Sequence, residues 1–331
     1  MTLVQFQAAD SIGDRFLCIL NKYGIQPPIG SNLEEELLSL TQLVEVMKNP
    51  SLASRPDQVH ILRSAAGLHD LAAKVLSVEP LSDFATFVPH LRLISEKKIR
   101  PASLGQIALS DIDDDTARKF AELYIGCLAA HVGTNVALDS PTNAKGDNPD
   151  VMFTLQEDGE HAGPPKRWAL AIKTISTRRG QTIFERIQGG AEQIDSPRCT
   201  ADIGMVIINA KSALVHDDLW SRPFCDLESA IQALDSQLEG LIDQAEKDRP
   251  QSEWDDLFTG KVVRPILFMG QSLVRLPTPA GMYTPTALKM LKVYGANGCP
   301  NPVGHGLALA MNDFMQKVLL GVPGGNGFFP C

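Results

Sequence analysis

A change of periodicity near residue 133 constrains the fold of this chain more than any other feature of its 331 residues. Before it, apolar residues recur at helical spacing; after it, short β-branched or alternating segments follow one another between turn residues. The pattern predicts a helix, three strands, a second helix and a fourth strand, at residues 116–133, 135–140, 150–155, 167–176, 182–195 and 201–210. Helices and strands combined in this order indicate an α/β fold with a sheet at its centre.

Helical spacing also dominates the sequence on both sides of this core. We expect a helical N-terminal region over residues 1–112, a core over 113–276, and a mixed, mainly helical C-terminal extension over 277–331. Within these parts the pattern predicts helices at 31–47, 57–77, 81–98, 226–247 and 284–295 and from 305 onwards, and a strand pair or one long bent strand over 262–276.

Composition narrows the class of protein. The chain is 44% hydrophobic and 21% charged, which is ordinary for a globular protein and excludes disorder or a collagen-like repeat. It has no run of about 18 apolar residues, so we expect no transmembrane helix and no membrane partner. The first residues lack a basic segment followed by an apolar one. Six cysteines without a C-x-x-C pair indicate free thiols in a reducing compartment. These features together predict a cytoplasmic protein.

Basic charge is concentrated in one segment. The net charge is −9, which excludes a uniformly basic surface for nucleic acid. Residues 166–198, however, hold seven basic and three acidic residues, so this segment carries +4 and the rest of the chain −13. The candidate phosphate contacts within it are Lys166, Arg178, Arg179 and Arg186. The acidic terminal regions are expected to dock a partner subunit or a second copy of the chain.

Two residues on neighbouring predicted strands carry the chemistry. Side chains alternate along a strand, so Ala169, Ala171 and Lys173 share one face of the strand at 167–176. Asp150 stands at the start of the preceding strand, directly after Pro149, which restricts the chain at this point. We therefore expect the Asp150 carboxylate and the Lys173 ammonium to lie close together at one end of the sheet.

The helix over 182–195 adds a further candidate surface. Thr182 and Glu185 have the spacing of a capping box, which predicts that the helix starts there. Arg186 and Gln193 are seven residues apart and share one face of this helix. Gly189 and Gly190 lie between them, and allow close approach of either a phosphate backbone or the sheet.

The order of elements and these short motifs resemble the PD-(D/E)xK nuclease superfamily, which has a restriction-endonuclease-like αβββαβ core. The resemblance rests on Asn148-Pro149-Asp150 before one strand and Ala171-Ile172-Lys173 in the next, and it covers about 95 of the 331 residues. It implies an enzyme that hydrolyses phosphodiester bonds in nucleic acid, DNA rather than RNA, with Mg²⁺ or Mn²⁺. It also suggests, by analogy, a prokaryotic defence or restriction component.

The resemblance also implies a role for individual residues. Asp150 and the backbone carbonyl of Ile172 would be metal ligands, and Glu122 of the preceding helix would add a carboxylate at the same site. Lys173 would orient or deprotonate the attacking water, and Gln193 would lie near the scissile phosphate. Mg²⁺ prefers oxygen ligands of this kind.

The sequence departs from the family pattern at Ala171, where the family carries glutamate or aspartate. Three explanations stay open. The alanine is an engineered substitution that disables catalysis, or the acid has moved to Glu185 or Glu192 on the following helix, or the domain is a natural pseudonuclease. The intact surroundings of Ala171 favour the first. The third corresponds to an alternative function, a non-catalytic module that binds nucleic acid or a protein partner.

Overall fold

The computed structural model describes residues 12–49, 51–52, 59–81, 84–96, 102–105, 114–141, 148–156, 163–247 and 249–317. Within these ranges the helices α1 to α10 span Ile12–Lys22, Asn32–Lys48, Val59–Val78, Val88–Glu96, Asp114–Val132, Gly180–Asp195, His216–Ser221, Leu227–Glu246, Gln251–Asp256 and Pro302–Gln316. The strands β1 to β6 span Thr134–Leu138, Val151–Leu155, Lys166–Thr174, Ile203–Asn209, Ile266–Pro277 and Tyr283–Tyr294. No helix in the described ranges is long and apolar enough to span a lipid bilayer.

The predicted order of helix, three strands, helix and strand is confirmed by α5, β1, β2, β3, α6 and β4. The six strands lie side by side in chain order in one mixed sheet. Strand β2 is antiparallel to both of its neighbours, β3 to β5 are parallel, and β6 is antiparallel to β5. The protein is therefore a mixed α/β fold built on a single sheet.

Strand β3 divides the core into two layers. Its residues Trp168, Leu170 and Ile172 belong to the apolar cluster that also contains buried residues of α3, α5 and α10. Ala169 and Ala171 point the other way, into a second cluster formed with α6 and α8. Because β3 is buried on both faces, it reads as a nearly continuous apolar run until Lys173, where the strand reaches its polar end.

The segment 284–295 was predicted as a helix, and this prediction was wrong, because Tyr283–Tyr294 forms β6. The strand pairs with β5 along its full length. The region 262–276 contributes one long strand, β5, over Ile266–Pro277, rather than a strand pair. The part of the chain after β5 therefore adds a further strand to the sheet before α10.

Helix α6 differs from its predicted start. It begins at Gly180, its N-cap is Arg179, and the N-cap side chain makes no capping hydrogen bond, so the predicted capping box at Thr182 is wrong. Gly190 faces the sheet: a methyl group added there would lie 2.8 Å from Val206 Cγ1 and 3.6 Å from the Cβ atom of Ala171. Gly189 has open space instead. Gly190 thus serves close packing of the helix on the sheet.

The difference in space around Gly190 and Gly189 predicts that alanine destabilises the protein at one position and is tolerated at the other. Gly190→Ala should lower the free energy of unfolding by about 1–3 kcal/mol, because α6 must move away from Val206. Gly189→Ala meets no atom within 4 Å and should be neutral or stabilise by up to about 1 kcal/mol, because alanine favours the helix. Urea unfolding of the two variants measures the difference, and equal effects would contradict the packing described for α6.

Candidate active site

Asp150 lies directly before β2 at one end of the sheet. The register pairs Val151 with Leu170, which places Asp150 beside Ala171 of β3. Its carboxylate is 5% exposed, and Oδ2 accepts a 2.6 Å hydrogen bond from the backbone N–H of Ile172. The amide and carbonyl of one strand residue point to the same side, so the Ile172 carbonyl also points toward the side of Asp150.

Lys173 lies next to Asp150 and is held by helix α6. Its Nζ donates a 2.6 Å hydrogen bond to Oε1 of Gln193. The Gln193 amide in turn donates to the backbone carbonyl of Asn148, in the segment that leads into β2. The structure thus brings Asp150, Lys173 and Gln193 together from three parts of the fold.

Glu122 completes the group from α5, on the other side of the sheet end. It is fully buried, which differs from a solvated helix glutamate. Its Oε2 accepts a 2.8 Å hydrogen bond from Lys119 Nζ and lies 3.0 Å from His90 Nε2. The Arg118 guanidinium is 3.6 Å from the other carboxylate oxygen. Glu122 is therefore surrounded by basic groups.

The basic partners of Glu122 were not predicted from the sequence. Arg118, Lys119 and Glu122 have the spacing of an ordinary helical ion pair, three and four residues apart, so this pattern gave no sign of burial. His90 is on α4, 32 residues away in the chain, and only the fold brings it to Glu122. Of these four residues, only Glu122 was assigned to the site from the sequence.

Burial changes the ionisation of this cluster. Burial, together with the charge of Glu122, raises the pKa of Asp150 to about 7, although Lys173 and the hydrogen bond from Ile172 oppose the change. Burial likewise raises the pKa of Glu122 and lowers the pKa of Lys173. Carboxylates and a lysine whose pKa values are moved toward neutrality in this way are typical of functional sites.

The raised pKa of Asp150 predicts how stability depends on pH. The folded protein binds this proton more tightly than the unfolded chain, so the contribution of Asp150 to stability should fall as the pH rises from about 4 to about 7. Asp150→Asn removes the buried charge and should raise the free energy of unfolding at pH 8 by roughly 1–3 kcal/mol. Urea unfolding of both proteins across this pH range measures the difference between them, and the same pH dependence of stability in the variant and the unsubstituted chain would contradict the assignment.

Ala171 is the position on β3 at which the sequence resemblance implies a carboxylate. It is fully buried and faces Gly190 of α6. Glu185 and Glu192 do not replace it in this structure. Both are exposed, and their carboxylates accept hydrogen bonds from Gln181 and Gln188 along one outer stripe of the helix.

The candidate phosphate contacts lie in two separate regions of the structure. Arg178, Arg179 and Arg186 are exposed around the first half of α6, and Arg186 is near enough to Lys173 to help lower its pKa. Lys166 begins β3, seven residues before Lys173, or roughly 23 Å away along the strand. The structure therefore does not bring Lys166 together with the three arginines.

Metal ligands are few at this site. In the part of the chain that the structure describes, no three side chains of histidine, cysteine, aspartate or glutamate are grouped to hold a metal ion. Asp150 and Glu122 provide two carboxylates, and the Ile172 carbonyl provides a further oxygen. Searches of family models, curated proteins and solved structures found no match to this chain.

Proposed function

We propose that the chain is a metal-dependent nuclease of the PD-(D/E)xK type that hydrolyses phosphodiester bonds in DNA. The observation that carries the proposal is the hydrogen bond between Lys173 and Gln193 beside the buried carboxylate of Asp150. A carboxylate, an amine and an amide from three separate elements meet at one end of the sheet. Arg186 of α6 lies near Lys173, and the exposed Arg178 and Arg179 directly precede the helix; these charges favour an anionic polymer as substrate.

The donor set fits Mg²⁺ or Mn²⁺. Asp150 and Glu122 are adjacent carboxylates whose pKa values are raised by burial, and a hard cation would stabilise their ionised forms. Mg²⁺ is commonly held by only one or two carboxylates together with waters and substrate phosphates. Asp150, Glu122 and the carbonyl of Ile172 would hold the ion, which when bound lowers the pKa of water and offsets phosphate charge.

The chain's own residues would position the substrate and the water. Gln193 fixes the Lys173 ammonium by accepting its hydrogen bond, so that Lys173 is available to orient the water or contact the phosphate. Lys119 balances the charge of Glu122 from the opposite side. A cation that binds Glu122 must therefore compete with Lys119, which predicts that this chain, with alanine at position 171, binds a metal ion weakly.

One observation favours the alternative, a non-catalytic module that binds nucleic acid or a protein partner. The position of the second strand carboxylate is filled by the methyl group of Ala171, packed beneath Gly190. The remaining carboxylates already have basic partners within the protein. A fold with this arrangement would keep its binding surface without holding a metal ion.

Mn²⁺ binding measured by electron paramagnetic resonance distinguishes the nuclease proposal from the non-catalytic alternative. The nuclease proposal predicts weak binding that Asp150→Asn reduces by roughly 10- to 100-fold. Asp218→Asn, which removes an exposed carboxylate on α7, is the matched control and should bind Mn²⁺ as the unsubstituted chain does. Equal binding by all three proteins would place the ion elsewhere, and absence of binding would favour the alternative.

A further inference from the structure

Strand β6 is the last strand of the sheet, and its outward-facing backbone groups can be identified. The Leu291 N–H donates to Oδ1 of Asn312, and the Lys289 carbonyl accepts from Gln316, both on α10. On the paired strand β5, the carbonyl of Met269, opposite Leu291, points away from β6 to the N–H of Ala210. Odd-numbered residues of β6 therefore direct their amides and carbonyls outward.

Helix α10 caps only one part of this edge. Earlier along the strand, Ala287 and Pro285 have the same outward orientation, and Pro285 has no N–H to direct outward. In the part of the chain that the structure describes, no group forms a hydrogen bond with the outward N–H or the outward carbonyl of Ala287. An unpaired edge of this kind is a template for another strand.

A cavity of about 1430 Å³ runs along this uncapped edge, beside residues 284–288. Helix α2 forms one wall with Leu37 and Leu38, and helix α8 forms the opposite wall with Ile231. Leu38 is 66% exposed and Ile231 is 40% exposed, so both walls present apolar surface to the cavity. The cavity therefore lies beside the unpaired edge of the sheet, with one apolar helix toward each face of the sheet.

We propose that this cavity binds an extended peptide of a partner protein, which pairs with β6 as a seventh strand. Backbone hydrogen bonds to the edge would supply affinity, and side chains of the peptide would point alternately toward α2 and α8. Both walls are apolar, so the peptide carries about five consecutive apolar or β-branched residues, as strands buried on both faces do.

Charged residues at the rim of the cavity determine which residues should flank the apolar stretch of the peptide. Asp14, Glu34 and Glu45 line the cavity, and helix α2 carries four glutamates against one lysine. Lys48 and Lys289 also line the cavity, but the Lys289 ammonium is paired with Asp70 at 2.7 Å, so acidic residues predominate. The apolar stretch is therefore flanked by lysine or arginine. A second copy of this chain would bring the same acidic helix and is disfavoured.

Selection of a displayed library of random twelve-residue peptides against the full chain tests the proposal. Enriched peptides should contain about five apolar residues between basic ones. A selected peptide should bind Ala287→Pro and Ile231→Lys roughly tenfold or more weakly, because the first loses the outward N–H and the second one apolar wall. Leu309→Lys is the matched control, since Leu309 is an exposed apolar residue of α10 outside the cavity.

Hydrogen exchange of the β6 amides distinguishes pairing of the peptide with this strand from a general change in stability. Peptide binding should slow exchange of the amides of Ala287 and Lys289. If Ala287→Pro loses its fold, Ile231→Lys still carries the test. No enriched peptide, equal loss in Leu309→Lys, unchanged exchange on β6, or a dimer of the chain built on this edge would each overturn the proposal.

Discussion

Replacement of Arg178, Arg179 and Arg186 with alanine is expected to weaken binding of duplex DNA by roughly 10- to 100-fold at low salt. All three side chains are exposed, at or directly before the first half of α6, and Arg186 lies near Lys173. Each phosphate contact contributes about −0.9 to the slope of log affinity against log salt, so three lost contacts flatten the slope by roughly 2.7. Fluorescence anisotropy across a salt series measures both quantities.

The matched control is a basic pair at the opposite end of the sheet. Lys166 begins β3, and Arg198 follows α6 shortly before Asp202, whose N–H donates to the Arg167 carbonyl. The double variant Lys166→Ala and Arg198→Ala should retain the affinity and most of the salt slope. Superimposable salt titrations for the unsubstituted chain and the triple arginine variant would contradict the assignment of the nucleic-acid surface.

Ala171→Glu is expected to increase Mg²⁺-dependent cleavage of plasmid DNA by roughly 100-fold or more, because a metal site of this type contributes several kcal/mol to catalysis. The new carboxylate would stand beside Asp150 on the neighbouring strand, two residues before Lys173. It would also add a negative charge for the metal ion, which offsets the neutralisation of Glu122 by its ion pair with Lys119. Gel assays of plasmid nicking measure the rate.

Ala171→Gln is the control for this gain, because glutamine has the size of glutamate and lacks its charge. Both side chains must fit against α6, where Gly190 lies close to the sheet. Circular dichroism and urea unfolding report whether the two variants keep the fold. Equal cleavage by the glutamate and glutamine variants would contradict a role for the carboxylate as a metal ligand.

The core of the fold was predictable because its signals are local. Alternation along β3 and the helical spacing of α5 and α6 are properties of consecutive residues, and they gave the order of elements correctly. The proximity of Asp150 and Lys173 followed from two adjacent strands and one shared end. Such inferences need only the periodicity of each element and their sequence in the chain.

Strand β6 was missed because its pattern imitates a helix. Its buried residues Pro285, Leu288, Leu291 and Tyr294 recur every third position, and several residues between them favour helices. Pairing with β5 along the full strand overrides this local preference. The contacts of Glu122 with His90 and Lys119 were missed for a different reason, since burial of an ion pair depends on which elements pack together.

The central claim is that the group around Asp150 and Lys173 performs phosphodiester hydrolysis. The most direct test measures cleavage of plasmid, linear and single-stranded DNA by Ala171→Glu, alone and combined with Asp150→Asn or Lys173→Met, in Mg²⁺, Mn²⁺ or EDTA. We predict metal-dependent cleavage by Ala171→Glu that is lost with EDTA and in both combined variants. Cleavage that persists without Asp150, or its absence from a correctly folded Ala171→Glu variant, would contradict the claim.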